Sequence, residues 1–101
     1  MTIKKLLIAN RGEIASRIIR SAHDMGIATV AIYTEPDSNS PYVRQANEAF
    51  KLETSYLDSK EILNIASKAN VDAIHPGYGF LSENYNFANQ VKKANLKWVG
   101  P

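Results

Sequence analysis

Short apolar runs alternate with longer amphipathic stretches from one end of the chain to the other, and that alternation leaves few folds open. Lys5-Leu6-Leu7-Ile8-Ala9, Ile27 to Tyr33, Ala49-Phe50-Lys51-Leu52, Val71 to Ile74 and Lys97-Trp98-Val99 read as strands, the third being the weakest. The first is continuously apolar from Leu6 to Ala9 rather than alternating, which suits a parallel sheet covered on both faces. Between the first two runs, Gly12 and Glu13 open a helix reaching to about Met25, with Gly26 placed to close it. Ile14, Ile18, Ala22 and Met25 share one side of that helix and predict its apolar face. Asp58 and Glu61 form a capping pair for a second helix carrying Ile62, Leu63, Ile65, Ala66 and Ala69. Ser82 is placed to cap a third, in which Phe87, Ala88 and Val91 turn inward. Residues 35–41 are a loop by composition, and Tyr42 to Asn47 suit a helical turn or two. The expectation is an α/β fold, a Rossmann-like doubly wound parallel sheet of about five strands with right-handed crossovers.

A length of 101 residues accommodates one domain and is too short for two. The net charge is +2, and the basic residues are scattered, without the Lys/Arg stripe and interleaved aromatics of a nucleic-acid surface. The absence of cysteine removes disulfides, thiolate metal sites and a cysteine nucleophile together. No apolar run approaches the roughly 20 residues of a membrane span. A first strand beginning close to Met1 leaves no room for a leader, so the expected location is the cytoplasm, or the mitochondrial matrix after loss of a presequence.

Three segments carry possible chemistry. The turn Ala9-Asn10-Arg11-Gly12-Glu13 holds one of the three glycines of a dinucleotide-binding turn, and Glu13 places negative charge where a phosphate would sit. Glu35 stands near the position of a ribose-binding acid, but one matching feature of two argues against nicotinamide or flavin binding. Arg17, Arg20 and Asp24 lie along one stripe of the first helix, either as an exposed Arg20–Asp24 pair or as a surface that meets a partner's carboxylates. The third segment is His75-Pro76-Gly77-Tyr78-Gly79-Phe80-Leu81-Ser82-Glu83-Asn84. Its glycines let backbone approach a ligand closely, at the carboxyl end of a strand where α/β proteins place ligands. His75 is open to two readings, a general base or a hydrogen-bonded histidine, and the Tyr78 ring either packs on its own domain or offers a stacking surface to a planar ligand. Glu83 suits the first turn of the helix that follows. No nucleophile–base pair, metal-ligand cluster or phosphate loop of the Gly-Lys-Ser/Thr type occurs.

Residues 5–20, the string 75–84 and Trp98-Val99-Gly100-Pro101 together resemble the amino-terminal domain of biotin carboxylases, the carboxylase subunits or domains of acetyl-CoA, propionyl-CoA, methylcrotonyl-CoA and pyruvate carboxylases. The resemblance spans the whole chain, 1–101, as a single domain that precedes an ATP-grasp domain. It implies a ligase that uses ATP, Mg2+ and bicarbonate to carboxylate biotin on a separate carrier domain, with this part inactive alone. Tyr78 and Gly79 then match biotin-facing positions, His75, Gly77 and Glu83 a supporting loop, and Arg17, Arg20 and Asp24 a dimer interface. The nucleotide, metal and bicarbonate ligands of the family belong to later domains, so the expected partners are an ATP-grasp domain, a biotin carboxyl carrier domain and a second copy. The segment from Phe50 to Tyr56 is about five residues shorter than the family's usual stretch. The rival reading is a stand-alone, non-catalytic domain that docks on a carboxylase or self-associates through the first helix.

Overall fold

The computed structural model describes residues 2–100, so the expected final turn at Gly100-Pro101 lies partly outside the described residues. Five strands form one all-parallel sheet in the order β3-β2-β1-β4-β5. The central β1 (Lys5–Ile8) is flanked by β2 (Ala28–Tyr33) and β4 (Ala73–His75), with β3 (Glu48–Lys51) and β5 (Lys97–Trp98) at the edges. The connections are α1 (Gly12–Asp24), a 3-10 turn at Glu35–Asp37 with α2 (Pro41–Gln45), α3 (Ser59–Ala69) and α4 (Tyr85–Lys93). The expected Rossmann-like architecture is therefore present. The chain moves outward from β1 to β3, then crosses back to β4, so the carboxyl ends of β1 and β4 flank the switch point. Their register pairs Ile8 with His75, and the Ala9 N–H donates to the His75 carbonyl at 2.9 Å.

Side chains of β1 alternate between two apolar cores, as pleating requires. Leu6 and Ile8 join Ile19, Ala31 and Tyr42 on one face, while Leu7 joins Val30, Ile62, Ile74 and Phe87 on the other. α1 meets the sheet through Ala15, Ile19 and Ala22 rather than along the full expected face. Ile14 and Ile18 are half-buried at its flank, and Met25 is 75% exposed. Adjacent columns of a helix differ by only about 100°, and the small Ala15 and Ala22 let the backbone come closest to the strands.

Helix ends follow local chemistry in two cases. Asp58 accepts the Glu61 N–H at 3.0 Å, as its spacing predicts, but the Glu61 carboxylate turns away to accept the Glu53 and Thr54 N–H groups. That bond pair closes the short segment after β3. Gly26, with φ +76, follows the last turn of α1 as the left-handed residue anticipated there. α4 differs from expectation: Asn84, not Ser82, caps it by accepting the Phe87 N–H at 2.9 Å. Ser82 is buried in a turn, its N–H bonded to the Gly79 carbonyl, because burying Leu81 carries the chain through one more bend before the helix begins. Glu83 consequently stands before the helix and not in its first turn. No helix among the described residues is long and apolar enough to cross a membrane.

Candidate functional site

The loop after β4 is shaped by three residues at positive φ: Gly77 at +66, Gly79 at +63 and Phe80 at +48. At Gly77 the requirement for glycine is double. A Cβ there would lie 2.8 Å from both Asn10 Nδ2 and Ile14 Cγ2, in addition to the strain of a left-handed backbone. A Cβ on Gly79 would meet nothing within 4 Å, so this stretch of backbone stays open to a ligand. The Tyr78 ring between them is 74% exposed and does not pack onto its own domain. Leu81 and Ser82 anchor the far end of the loop in the interior.

His75 sits half-buried at the end of β4, and its Nδ1 accepts the Gly77 N–H at 3.1 Å. Desolvation holds this imidazole below its ordinary titration range, in the neutral form that such an acceptor needs. It thus acts as a hydrogen-bonded support of the loop. Asn10, at the end of β1, is only 1% exposed. Its amide donates to the Pro76 carbonyl at 2.7 Å and the Tyr78 carbonyl at 2.6 Å, while its Oδ1 accepts the Arg11 N–H at 2.8 Å. Sequence reasoning treated Asn10 only as a residue standing where a glycine would be; the usable sign was a short amide side chain at the switch point opposite a glycine loop.

A second arrangement missed by the sequence lies behind the first. Arg11 grips both oxygens of Asp37 at 2.5 Å, bridging the β1–α1 turn to the 3-10 turn after β2. The guanidinium holds the Asp37 carboxyl down at about 2, against the opposing effect of burial, and Asp37 raises Arg11 in return. The Tyr56 hydroxyl donates to Asp37 Oδ2 and accepts the Thr34 N–H, and the Tyr42 hydroxyl lies 2.8 Å from it. Burial and Tyr56 together push the Tyr42 phenol well above its usual range. The Tyr56 ring also meets Phe80 of the glycine loop, with centroids 5.4 Å apart.

At the turn where a dinucleotide phosphate would bind, Arg11 is engaged by Asp37 and Glu13 places negative charge in the first turn of α1, while Glu35 is engaged by Lys51 at 2.6 Å. Among the described residues no group of three or more His, Asp or Glu side chains gathers as a metal site. Beside the loop, Ile14, Ile18, Met25, Ile27 and Val99 line an apolar groove of about 550 Å³ that ends at Tyr78. Arg17 also borders it, so this arginine is adjacent to the apolar surface. Arg20 and Asp24 are exposed on the same helix, but Arg20 reaches back to Glu13 at 3.1 Å instead of forward to Asp24. His75, Gly77, Tyr78 and Gly79 share the loop after β4, and Glu83 lies in the turn that continues it before α4.

Fold and loop together define a parallel α/β domain that presents an open glycine backbone and a bare aromatic ring at its switch point, with no assembled acid–base or metal chemistry among the described residues. Residues 2–101 match the family model described as the biotin carboxylase N-terminal domain, and the chain belongs to that family. It is 54% identical to the biotin-dependent acyl-coenzyme A carboxylase alpha3 subunit of Mycobacterium leprae over 104 residues, covering 98% of this chain and 17% of that subunit. With biotin carboxylase 1 of Bacillus subtilis it shares 51% identity over 104 residues, covering 98% of this chain and 23% of that protein. Among solved structures, the biotin carboxylase domain of the Hydrogenobacter thermophilus 2-oxoglutarate carboxylase superimposes with a TM-score of 0.96 at 43% identity, over 100% of this chain and 23% of that one. That structure is a dimer holding MgADP, ADP and bicarbonate. The chain thus spans about a fifth of the length of these relatives.

Proposed function

We propose that residues 1–101 form the amino-terminal domain of an ATP-dependent biotin carboxylase, a ligase that transfers carboxylate from bicarbonate to biotin on a carrier domain. The observation that carries this reading is the site itself: an exposed Tyr78 ring beside the uncovered Gly79 backbone, on a chain belonging to this family. The residues present fit biotin. A flat ring suits the fused rings of the ligand, and an open backbone supplies polar groups at short range. Biotin, when bound, supplies the ureido nitrogen that accepts the carboxylate. Tyr78 and Gly79 bind and orient it, while His75, Gly77 and Glu83 belong to the loop that supports them.

Among the described residues no carboxylate cluster is assembled to hold Mg2+ and its nucleotide. Arg11 at the β1–α1 turn is already engaged by Asp37, and Glu13 places negative charge beside it. ATP and Mg2+ are therefore assigned to an ATP-grasp domain that acts together with this one, and no chemical step is placed here. The proposed location is the cytoplasm. The full-length protein should hydrolyse ATP only with bicarbonate, and faster when free biotin is added; a protein whose ATP hydrolysis ignores biotin would overturn the reading.

A second role is favoured by the position of Arg17, Arg20 and Asp24. All three are exposed on α1, with Arg17 at the edge of the apolar groove, an arrangement suited to a homodimer interface in which charged groups surround buried apolar area. This role belongs equally to the non-catalytic alternative, so the ATP assay, and not association, separates the two.

A further inference from the structure

Three carbonyl and ring positions of the glycine loop are held from outside the loop, and two of the three contacts come from one side chain. Asn10 Nδ2 reaches the carbonyls of Pro76 and Tyr78, the residues on either side of Gly77. Tyr56 meets the ring of Phe80. The loop has few internal bonds of its own: the Gly77 N–H to His75 Nδ1, the Ser82 N–H to the Gly79 carbonyl and the Asn84 N–H to the Leu81 carbonyl. A segment with three residues at positive φ does not hold one conformation without such outside contacts.

We infer that Asn10 is a positioning residue for biotin: it fixes the backbone of residues 76–78 and thereby the direction in which Tyr78 and Gly79 are offered. Four observations converge on it. Asn10 is almost fully buried, so its amide has no water to bond in place of the loop. Both amide hydrogens are used on loop carbonyls, and its oxygen is used on the Arg11 N–H, so the amide cannot be flipped without facing like groups. Arg11 is itself anchored on both oxygens of Asp37, which gives the clamp a rigid base on the far side of β1. Finally, the space for the clamp exists only because residue 77 lacks a Cβ. Glycine in the loop and asparagine in the turn are thus two halves of one fitting.

Alternative residues at position 10 do not reproduce it. Aspartate keeps the acceptor for Arg11 N–H but turns an oxygen toward two carbonyls, which repels the loop. Alanine leaves both carbonyls without their donor. Serine has one hydrogen to give and a shorter reach.

This inference rests on the biotin carboxylase reading for its functional consequence, whereas the clamp is a property of the fold. The experiment therefore uses two readouts on the full-length protein with Asn10→Asp and Asn10→Ala. The first is the rate of limited chymotrypsin cleavage at Tyr78 and Phe80, both exposed in the loop. The second is steady-state kinetics with free biotin and with ATP as the varied substrates. The expected result is faster loop cleavage in both variants, with the biotin KM raised on the order of tenfold and the ATP KM unchanged. Unchanged cleavage overturns the clamp, and equal changes in both KM values overturn the positioning role in favour of general destabilisation. Should the unsubstituted protein show no response to biotin, the functional reading and the biotin role fall together, while cleavage still judges the clamp.

Discussion

Asp37 is buried while its partner Arg11 is half exposed, and this asymmetry governs how the pair responds to acid. The carboxyl titrates at about 2 in the folded chain, below its ordinary 3.8. A depressed carboxyl stabilises the fold above its unfolded value, and that stability disappears as pH falls from about 3.8 through about 2. Its contribution near neutrality is on the order of 2 kcal/mol by linkage. Asp37→Asn should lower stability by about that amount at pH 7 and by much less near pH 2, measured by urea denaturation at both values. An equal loss at the two pH values would show that shape, not charge, is what Asp37 contributes. None of this was visible in the sequence, where residues 35–41 read only as a polar loop. Arg11, Asp37 and Tyr56 are separated by 26 and 19 residues and meet only once the sheet has formed. Tyr78 was better served: a ring between two glycines has little local surface to pack on, so its exposure was one of two outcomes already set by its neighbours.

At the scale of elements, capping chemistry was legible where an acidic partner stood three residues after the cap. Asp58 was such a case, and its bond to the Glu61 N–H is present. Before α4 two competent residues, Ser82 and Asn84, lie two positions apart. The choice went to Asn84 because burial of Leu81 consumed an additional turn, a tertiary effect beyond the reach of a local motif. Similarly, α1 offers two neighbouring apolar columns, and which one meets the sheet depends on how closely the backbones approach. Two substitutions separate local from tertiary contributions. Asp58→Ala removes the cap and should cost about 1 kcal/mol. Gly26→Ala should cost about 1–2 kcal/mol through its left-handed backbone alone, since an added Cβ meets nothing within 4 Å. Thermal melts of both variants would check these values, and a neutral Gly26→Ala would mean that the chain leaves α1 by another route.

For the molecule as a whole, the unbalanced feature is the flank of α1, where exposed Met25 and half-buried Ile14 and Ile18 border a groove with charged residues along it. An apolar surface of this kind calls for cover, and the proposed homodimer interface would use Arg17 and Arg20 to orient a second copy. Arg17→Glu with Arg20→Glu should convert the full-length protein to a slower-sedimenting species in velocity centrifugation at moderate ionic strength; an unchanged sedimentation profile would remove these residues from any interface. The order of strands and helices, the parallel sheet and the location of the glycine loop were determined by the sequence itself, because periodicity, glycine placement and apolar run length act within a few residues of one another. What only the tertiary structure decided was which side of α1 faces the sheet, where α4 begins, and the meeting of Asn10 with residues 76–78 and of Arg11 with Asp37. Those outcomes depend on burial and on hydrogen bonds between segments 19 to 68 residues apart, and such partners have no address until the sheet brings β1, β2 and β4 side by side.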